Sequence, residues 1–139
     1  MQIPSCSINE GFARKVCSDF LCLLDPTVSE ISDIRTVVSE AVTNCIVHAY
    51  KEQAGTIYIS GKCFSDRSIE IKIRDNGCGI SDVQKAMEPL YTTCTTGERA
   101  GLGFAVMQSF MDKVKVRSTL GKGTTVVLRK KLSSKQGNV

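Results

Sequence analysis

The chain has 139 residues, of which 42% are hydrophobic and 23% are charged, and its formal net charge is +4. These values exclude a disordered or fibrous protein and predict one globular domain with its own core. No apolar run reaches the roughly 18 to 20 residues of a membrane span, and the N-terminus lacks the pattern of a secretory signal. We therefore expect a cytoplasmic protein that makes no contact with a membrane.

The seven cysteines and the single histidine argue against two kinds of site. The cysteine count is odd and no two cysteines are spaced Cys-x-x-Cys, which argues against a disulfide framework and against zinc. The densest basic segment, "RKKLSSK" at 129–135, has no interleaved aromatic residues. We interpret it as a solvated end and expect no direct contact with nucleic acid.

Two amphipathic helices are predicted in the first 50 residues. The first spans 8–24 and places Arg14 on its polar side; its apolar face comprises Ile8, Phe12, Val16, Phe20, Leu21 and Leu24. The sequence "DPT" ends this helix, and Thr27 with Glu30 has the form of a capping box. The second helix should then run to about residue 50, with an apolar stripe of Ile31, Ile34, Val38, Val42, Cys45 and Ala49.

The rest of the chain alternates between strand and helix patterns. The runs "TIYISGKCF" and "SIEIKIRD" predict a hairpin, and "KVKVRS" with "TTVVLRKKL" predicts two further strands. Segment 81–90 predicts a short helix, 104–111 a third helix, and the polar segment 91–103 between them a lid over a site. This order favours an α+β fold in a single domain, residues 1–139: a two-layer α/β sandwich whose mixed, mostly antiparallel sheet is covered on one face by helices.

Glu40, Asn44 and His48 recur every four residues along the second predicted helix and share one side of it. Alone, such a spacing is most often a solvated helix surface. In the functional interpretation, Asn44 offers a carbonyl oxygen to Mg²⁺ and Glu40 accepts a proton from an attacking hydroxyl or water. A lone histidine makes a poor metal site, so His48 is interpreted as a packed or surface residue.

The stretch "RDNGCGI" at 74–80 places a carboxylate and two glycines directly after a predicted strand. A buried Asp75 needs a hydrogen-bond donor, and the exocyclic amine of a nucleobase is one. Gly77 and Gly79 carry no side chain to block the approach of a flat ring. By itself, however, "DNG" is also among the commonest turn signals.

The stretch "GERAGLGF" at 97–104 supplies a third element, because Gly101 and Gly103 open a predicted helix whose free N–H groups favour phosphate. Arg99 precedes them and could reach a terminal phosphate with its planar fork. A bare Gly-x-Gly is a weak signal, and the chain contains no P-loop sequence. Together the three stretches describe a site for Mg²⁺ and a purine triphosphate.

Four stretches resemble motifs of the GHKL family of ATP-binding proteins, which share the Bergerat fold. In chain order they are "EAVTNCIVHAY", "RDNGCGI", "GERAGLGF" and "GKGTT", and they resemble the N, G1 and G2 boxes and the closing strand motif. Over nearly its whole length the chain is similar to one branch of that family, the sporulation anti-sigma factors that are also serine kinases. The segments "LDPTVSEISDIRTVVSEAVTN", "PLYTT" and "FMDKV" extend this similarity beyond the boxes.

The resemblance implies a role for each matching residue. Glu40 would be the general base, Asn44 the Mg²⁺ ligand and Asp75 the residue that binds the adenine amine. In addition, Gly77 and Gly79 would shape the pocket, and Arg99, Gly101 and Gly103 would bind the phosphates. Thr124 would lie near adenine, and Arg14 would contact protein partners.

The resemblance also implies a nucleotide, an activity and partners. The nucleotide would be ATP or ADP, bound with Mg²⁺. The protein would act as a homodimer that inhibits a sporulation sigma factor and phosphorylates, on serine, the anti-anti-sigma factor that opposes it. Two alternatives stay open: a binding module that sequesters the sigma factor under nucleotide control without catalysis, and a detached ATPase domain of the histidine-kinase type. Phosphate transfer to an acceptor serine would distinguish the kinase from both.

Overall fold

A computed structural model describes residues 1–87 and 100–133, with the backbone alone for 100–102. The helices are α1 (Ile8–Leu21), α2 (Val28–Thr43), α3 (Val83–Ala86) and α4 (Ala100–Phe110). The strands are β1 (Gln2–Pro4), β2 (Thr56–Cys63), β3 (Ser68–Asp75), β4 (Lys113–Thr119) and β5 (Gly123–Lys131). A 3₁₀ turn, Cys22–Leu24, follows α1, and a π-helical segment, Asn44–Ala49, continues α2.

The five strands form one sheet in the order β1-β2-β3-β5-β4, and all four strand pairings are antiparallel. The predicted α/β sandwich is confirmed, although the described strands show no parallel pair where the sequence allowed a mixed sheet. The edge strand β1 was not predicted, because three residues are too short to display an alternating pattern.

The start of α2 agrees with its predicted cap. The Thr27 hydroxyl accepts a hydrogen bond from the Glu30 N–H at 3.1 Å, and the Glu30 carboxylate accepts one from the Thr27 N–H at 2.8 Å. Two N–H groups that the first turn would leave without partners are thereby bonded. The capping box is confirmed.

The apolar face predicted for α1 is partly wrong. Ile8 is 80% exposed and Phe12 51% exposed, while Ala13 and Cys17, which were not predicted, are buried together with the predicted Leu21. Both sets of residues satisfy the helical period, but the second begins with small side chains, which allow the axes of α1 and α2 to approach closely. The smaller residues therefore form the contact with the rest of the fold.

One hydrophobic core lies between the helices and one face of the sheet. The inward residues of the central strands, Ile69, Ile71 and Ile73 on β3 and Val126 and Leu128 on β5, are all buried. The stripe predicted for α2 is confirmed at Ile34, Val38, Val42 and Cys45, while Ile31 and Ala49 are only partly buried. In the described ranges, no helix has the length and apolar character needed to cross a membrane.

Candidate functional site

A cavity of about 270 Å³ opens between the π-helical segment, the end of β3, the start of α3 and α4. Its walls bring together residues that lie far apart in the sequence, including Asn44, His48, Asp75, Gly79, Phe104 and Thr124. Three of the predicted stretches therefore meet at one place in the fold.

The π-helical segment determines which side chains of α2 reach this cavity. It is closed by an i→i+5 hydrogen bond from the Tyr50 N–H to the Cys45 carbonyl, at 3.0 Å. Asn44 and His48 both line the cavity from this segment, whereas Glu40, one turn earlier on regular α-helix, lines a separate groove beside α1. Such departures from α-helix are frequent at functional sites, and the four-residue spacing in the sequence does not reveal this one.

Asp75 is the last residue of β3 and is only 5% exposed. Its Oδ1 atom accepts hydrogen bonds from the N–H groups of Gly77 at 2.9 Å and Thr124 at 3.2 Å. Burial raises the pKa of this carboxyl group above its ordinary value, although these hydrogen bonds act in the opposite direction. The predicted buried carboxylate is confirmed, and its second oxygen remains able to accept from a ligand.

The thiol of Cys45 contacts that second oxygen and was assigned only to the apolar stripe of α2. Its Sγ atom donates to Asp75 Oδ2 at 3.6 Å. Burial, and after it the neighbouring charge of Asp75, raises the pKa of Cys45 well above its ordinary value, so the thiol keeps its proton. Sequence alone gave no signal for this contact, because it depends on how α2 lies across β3.

Thr124 lines the cavity from β5, opposite Asp75 in the strand register. Its hydroxyl lies 2.8 Å from the Ser118 hydroxyl, which also accepts a hydrogen bond from the Ile80 N–H at 2.7 Å. Ser118 thus ties the loop after β3 to the β4–β5 hairpin. The alternation of "KVKVRS" turns Ser118 to the core side, which is the signal that could have identified it.

The backbone around the two glycines after Asp75 leaves no room for a side chain at either position. A Cβ atom on Gly77 would overlap the carbonyl of Ala49, and one on Gly79, whose φ is +76°, would overlap the carbonyl of Thr119. The loop therefore requires these glycines because it passes directly against the π-helical segment and the β4–β5 hairpin. Gly79 also lines the cavity, and Gly77 shapes it indirectly through its bond to Asp75.

Glu40, Asn44 and Gly103 converge where α4 crosses α2. A Cβ atom on Gly103 would lie 3.1 Å from Asn44 Nδ2 and 3.4 Å from Glu40 Oε1. The Asn44 Nδ2 atom is buried and has no hydrogen-bond partner among the described residues. A buried Nδ2 donor without a partner fits an acceptor such as a phosphate oxygen, and Oδ1 of the same amide is the type of oxygen that Mg²⁺ binds.

The remaining predicted residues lie at the margins of the described structure. Gly101 lies in the first turn of α4, which begins at Ala100 rather than Phe104, while Arg99 and most of the predicted lid fall outside the described residues. Arg14 is half-buried rather than on a free outer face, since its Nη1 atom contacts Glu10 at 3.1 Å and Ser39 of α2 at 3.3 Å.

Comparison with known proteins identifies relatives of this chain. Residues 10–130 match the model of the histidine kinase-like ATPase domain. The anti-sigma F factor of Caldanaerobacter subterraneus is 56% identical, covering 94% of this chain and 90% of its own, and that of Priestia megaterium is 47% identical over 96% and 92%. Among solved structures, a histidine kinase domain from Erythrobacter litoralis has a similar fold, with a TM-score of 0.56 at 21% identity; the match covers 74% of this chain and 45% of that one.

Proposed function

This chain belongs to the histidine kinase-like ATPase family, and we propose that it is an anti-sigma factor and protein serine kinase. The anti-sigma F factors are its relatives over nearly its full length. In this proposal it binds and inhibits a sporulation sigma factor. It also transfers phosphate from ATP to a serine of the anti-anti-sigma factor and thereby inactivates that antagonist. The observation that carries the proposal is that Asn44 and Asp75 line one cavity while the Glu40 carboxylate lies beside Asn44 at Gly103.

Recognition of the adenine base is assigned to Asp75. Its Oδ1 atom already accepts two backbone N–H groups, so the carboxylate is fixed in orientation and directs Oδ2 to a ligand amine. Thr124 and Gly79 contribute the adjoining walls of the same cavity. A buried acceptor with a fixed direction favours a base with an amine, because a base without one would add no donor to Oδ2 beyond the weak thiol donor of Cys45.

Asn44 is the residue that would hold Mg²⁺, and the N–H groups at Gly101 and Gly103 would bind the phosphates together with Arg99. When bound, the ion neutralises charge on the phosphate oxygens. The absence of a Cβ atom at Gly103 lets the α4 backbone come close to the Asn44 amide. A glycine in a helix interior costs about 1 kcal/mol of helix stability relative to alanine, which a role in ligand binding would explain.

Glu40 is assigned as the general base. Glu40 lines a groove outside the cavity, one helical turn from Asn44, where a hydroxyl of a second protein can approach without entering the cavity. There it would accept the proton of the acceptor serine during phosphate transfer.

The surface beside Glu40 suits a protein partner. A groove of about 570 Å³ between α1 and α2 is lined by both Arg14 and Glu40, so a protein that contacts Arg14 can present a serine to the base. Glu10 and Ser39 hold the guanidinium of Arg14 in place. We extend the proposal to a homodimer, as the family resemblance implies.

The decisive experiment is transfer of γ-labelled phosphate from Mg·ATP to the purified anti-anti-sigma protein of the same genome, in single-turnover mode. We expect the label on a serine, and we expect Glu40→Ala to bind ATP nearly normally but to lose transfer by roughly a hundredfold or more. Glu70→Ala is the matched control, because Glu70 lies on the opposite face of the sheet.

The outcomes separate the proposal from its alternatives. Tight ATP binding with no labelled serine would favour the binding module or the detached ATPase domain. Transfer by Glu40→Ala at the rate of the unaltered protein would leave the kinase in place but remove Glu40 as its base.

A further inference from the structure

The face of the sheet opposite the helices carries a concentration of positive charge. At the outward positions of β2 to β5 the single acid is Glu70, and the cations there are Lys62, Lys72, Arg74, Lys113, Lys115, Arg117, Arg129 and Lys131. Since the chain has 18 cations and 14 acids, ten cations and thirteen acids remain elsewhere. The modest overall charge therefore conceals one strongly basic face on a molecule that is otherwise slightly acidic.

The strand register organises these cations into a basic trough of about 290 Å³. Its floor is β5, which presents the short side chains of Thr125 and Val127. Lys72 on β3 and Lys115 on β4 flank Val127 in the register, and Lys113 and Arg117 continue the β4 wall. Adjacent strands lie about 4.8 Å apart, so the two walls are separated by about 10 Å, the width of one extended chain.

This arrangement costs stability in the absence of a ligand. Glu70 is engaged by Arg129 at 3.8 Å, at one end of the trough. Lysines and arginines on neighbouring strands repel one another across the sheet. A polyanion lying along the floor would turn this repulsion into attraction on both sides.

Two arginines of this face are held flat by aromatic rings. The guanidinium of Arg74 lies 4.0 Å from the centre of the Tyr58 ring and also donates to Asn76 Oδ1 at 2.9 Å. The guanidinium of Arg129 lies 4.4 Å from the centre of the Phe64 ring. Unstacked nucleobases pack on such guanidinium planes, whereas an acidic peptide would have no use for them.

We propose that the basic trough binds single-stranded nucleic acid, with the phosphates between the β3 and β4 walls and bases against the guanidinium planes of Arg74 and Arg129. A further pocket of about 190 Å³, lined by Arg74, Arg117 and Lys122, continues the trough past the end of β3. The trough shares no lining residue with the ATP cavity, because the outward side chains alternate with the inward Asp75 and Thr124. The further pocket borders on both of those residues and so lies next to the cavity.

The test is fluorescence anisotropy with oligo(dT) and an RNA of mixed sequence, each of about 20 nucleotides, at salt concentrations from about 50 to 300 mM. AMPPNP is kept saturating so that the ATP cavity is blocked. The probe variant is Lys72→Gln with Lys115→Gln, which removes one cation from each wall. The control is Lys15→Gln with Lys51→Gln, which makes the same change in net charge on the helical side.

We expect the trough variant to lose affinity roughly tenfold or more at 0.1 M salt and to reduce the slope of log K against log salt by about 1.4, while the control changes neither. Arg74→Lys keeps the charge but not the flat plane, so it should weaken binding about tenfold with the slope unchanged. Unaltered ATP affinity in the trough variant would show that it is folded.

Several results would overturn the proposal. One is the absence of binding at 50 mM salt, and another is an equal loss in trough and control variants. Binding of oligo(dT) that occurs without AMPPNP but is lost when AMPPNP is saturating would place the oligonucleotide in the ATP cavity. Equally tight binding of polyglutamate of the same length would instead identify an acidic peptide as the ligand class.

Discussion

At the scale of single residues, Asp75 combines burial with three hydrogen bonds from different elements. Gly77 belongs to the following loop, Thr124 to β5 and Cys45 to the π-helical segment. The carboxylate is therefore oriented before any ligand arrives, which lowers the entropic cost of recognising one. Removing its ability to accept from an amine should affect binding far more than folding.

Asp75→Asn should reduce nucleotide affinity by roughly a hundredfold or more, because the amide would present a donor to the donating amine of the base. The Asn oxygen can still accept from Gly77 and Thr124, so the fold should be retained. Isothermal titration calorimetry measures the affinity, and circular dichroism checks the fold. Unchanged affinity would remove Asp75 from the site.

The same residue predicts a dependence of stability on pH. Because burial raises the native pKa of Asp75 above its ordinary value of 3.8, the native state holds this proton more tightly than the unfolded state. The resulting stabilisation is complete below the unfolded pKa and is lost as pH rises through the raised native pKa.

The free energy of unfolding of the unaltered protein, minus that of Asp75→Asn, should therefore fall as pH rises from about 3.8 and then level off. Urea denaturation of both proteins at a series of pH values measures this difference. A difference that stays constant, or that grows with pH, would contradict the environment assigned to the carboxyl group.

At the scale of elements, α2 connects the stability of the fold to the site. Its N-terminus is fixed by the Thr27 and Glu30 capping box, and the second Glu30 oxygen accepts from the Ser133 N–H at 2.7 Å. Its other end widens into the π-helical segment that carries Asn44 and His48. One helix is thus anchored at its start by local sequence and remodelled at its end by tertiary contacts.

Thr27→Ala should lower the free energy of unfolding by about 1 kcal/mol, because the Glu30 N–H loses its acceptor. Urea denaturation measures the change. The matched control is Ser29→Ala, an exposed serine in the first turn, which should change stability by less than about 0.5 kcal/mol. Equal effects of the two substitutions would show that the cap contributes nothing beyond helix propensity.

At the scale of the whole molecule, the sheet has two faces with different purposes. One face is covered by helices and ends at the cavity that contains Asp75. The other is basic, and none of the described helices covers it. Helices α2 and α4 pack on the same sheet face yet also supply Asn44 and Gly103, so occupying the cavity should stabilise the entire domain.

Mg·ATP at about one hundred times its dissociation constant should add about 2.7 kcal/mol to the free energy of unfolding, which corresponds to a rise of about 10 °C in Tm. Differential scanning fluorimetry measures the rise, and Asp75→Asn should show almost none at the same ATP concentration. An equal rise in that variant would place the nucleotide elsewhere on the protein.

The sequence by itself determined the features that depend on neighbours along the chain. Alternation such as that in "SIEIKIRD" indicated the strands, and the Thr27 and Glu30 cap indicated the start of α2. The order of the motif stretches indicated an ATP-binding α/β sandwich. These features follow from local hydrogen bonding and side-chain periodicity, which a single sequence displays directly.

Only the tertiary structure decided which residues meet across the fold. Three such features depend on how the helices cross the sheet. They are the contact of Cys45 with Asp75, the overlap that forbids a side chain at Gly77, and the burial of Ala13 in place of Phe12. The basic trough has the same origin, because the antiparallel register brings together cations of β3 and β4 that lie far apart in the sequence. Register and helix packing are long-range relations, and no local pattern encodes them.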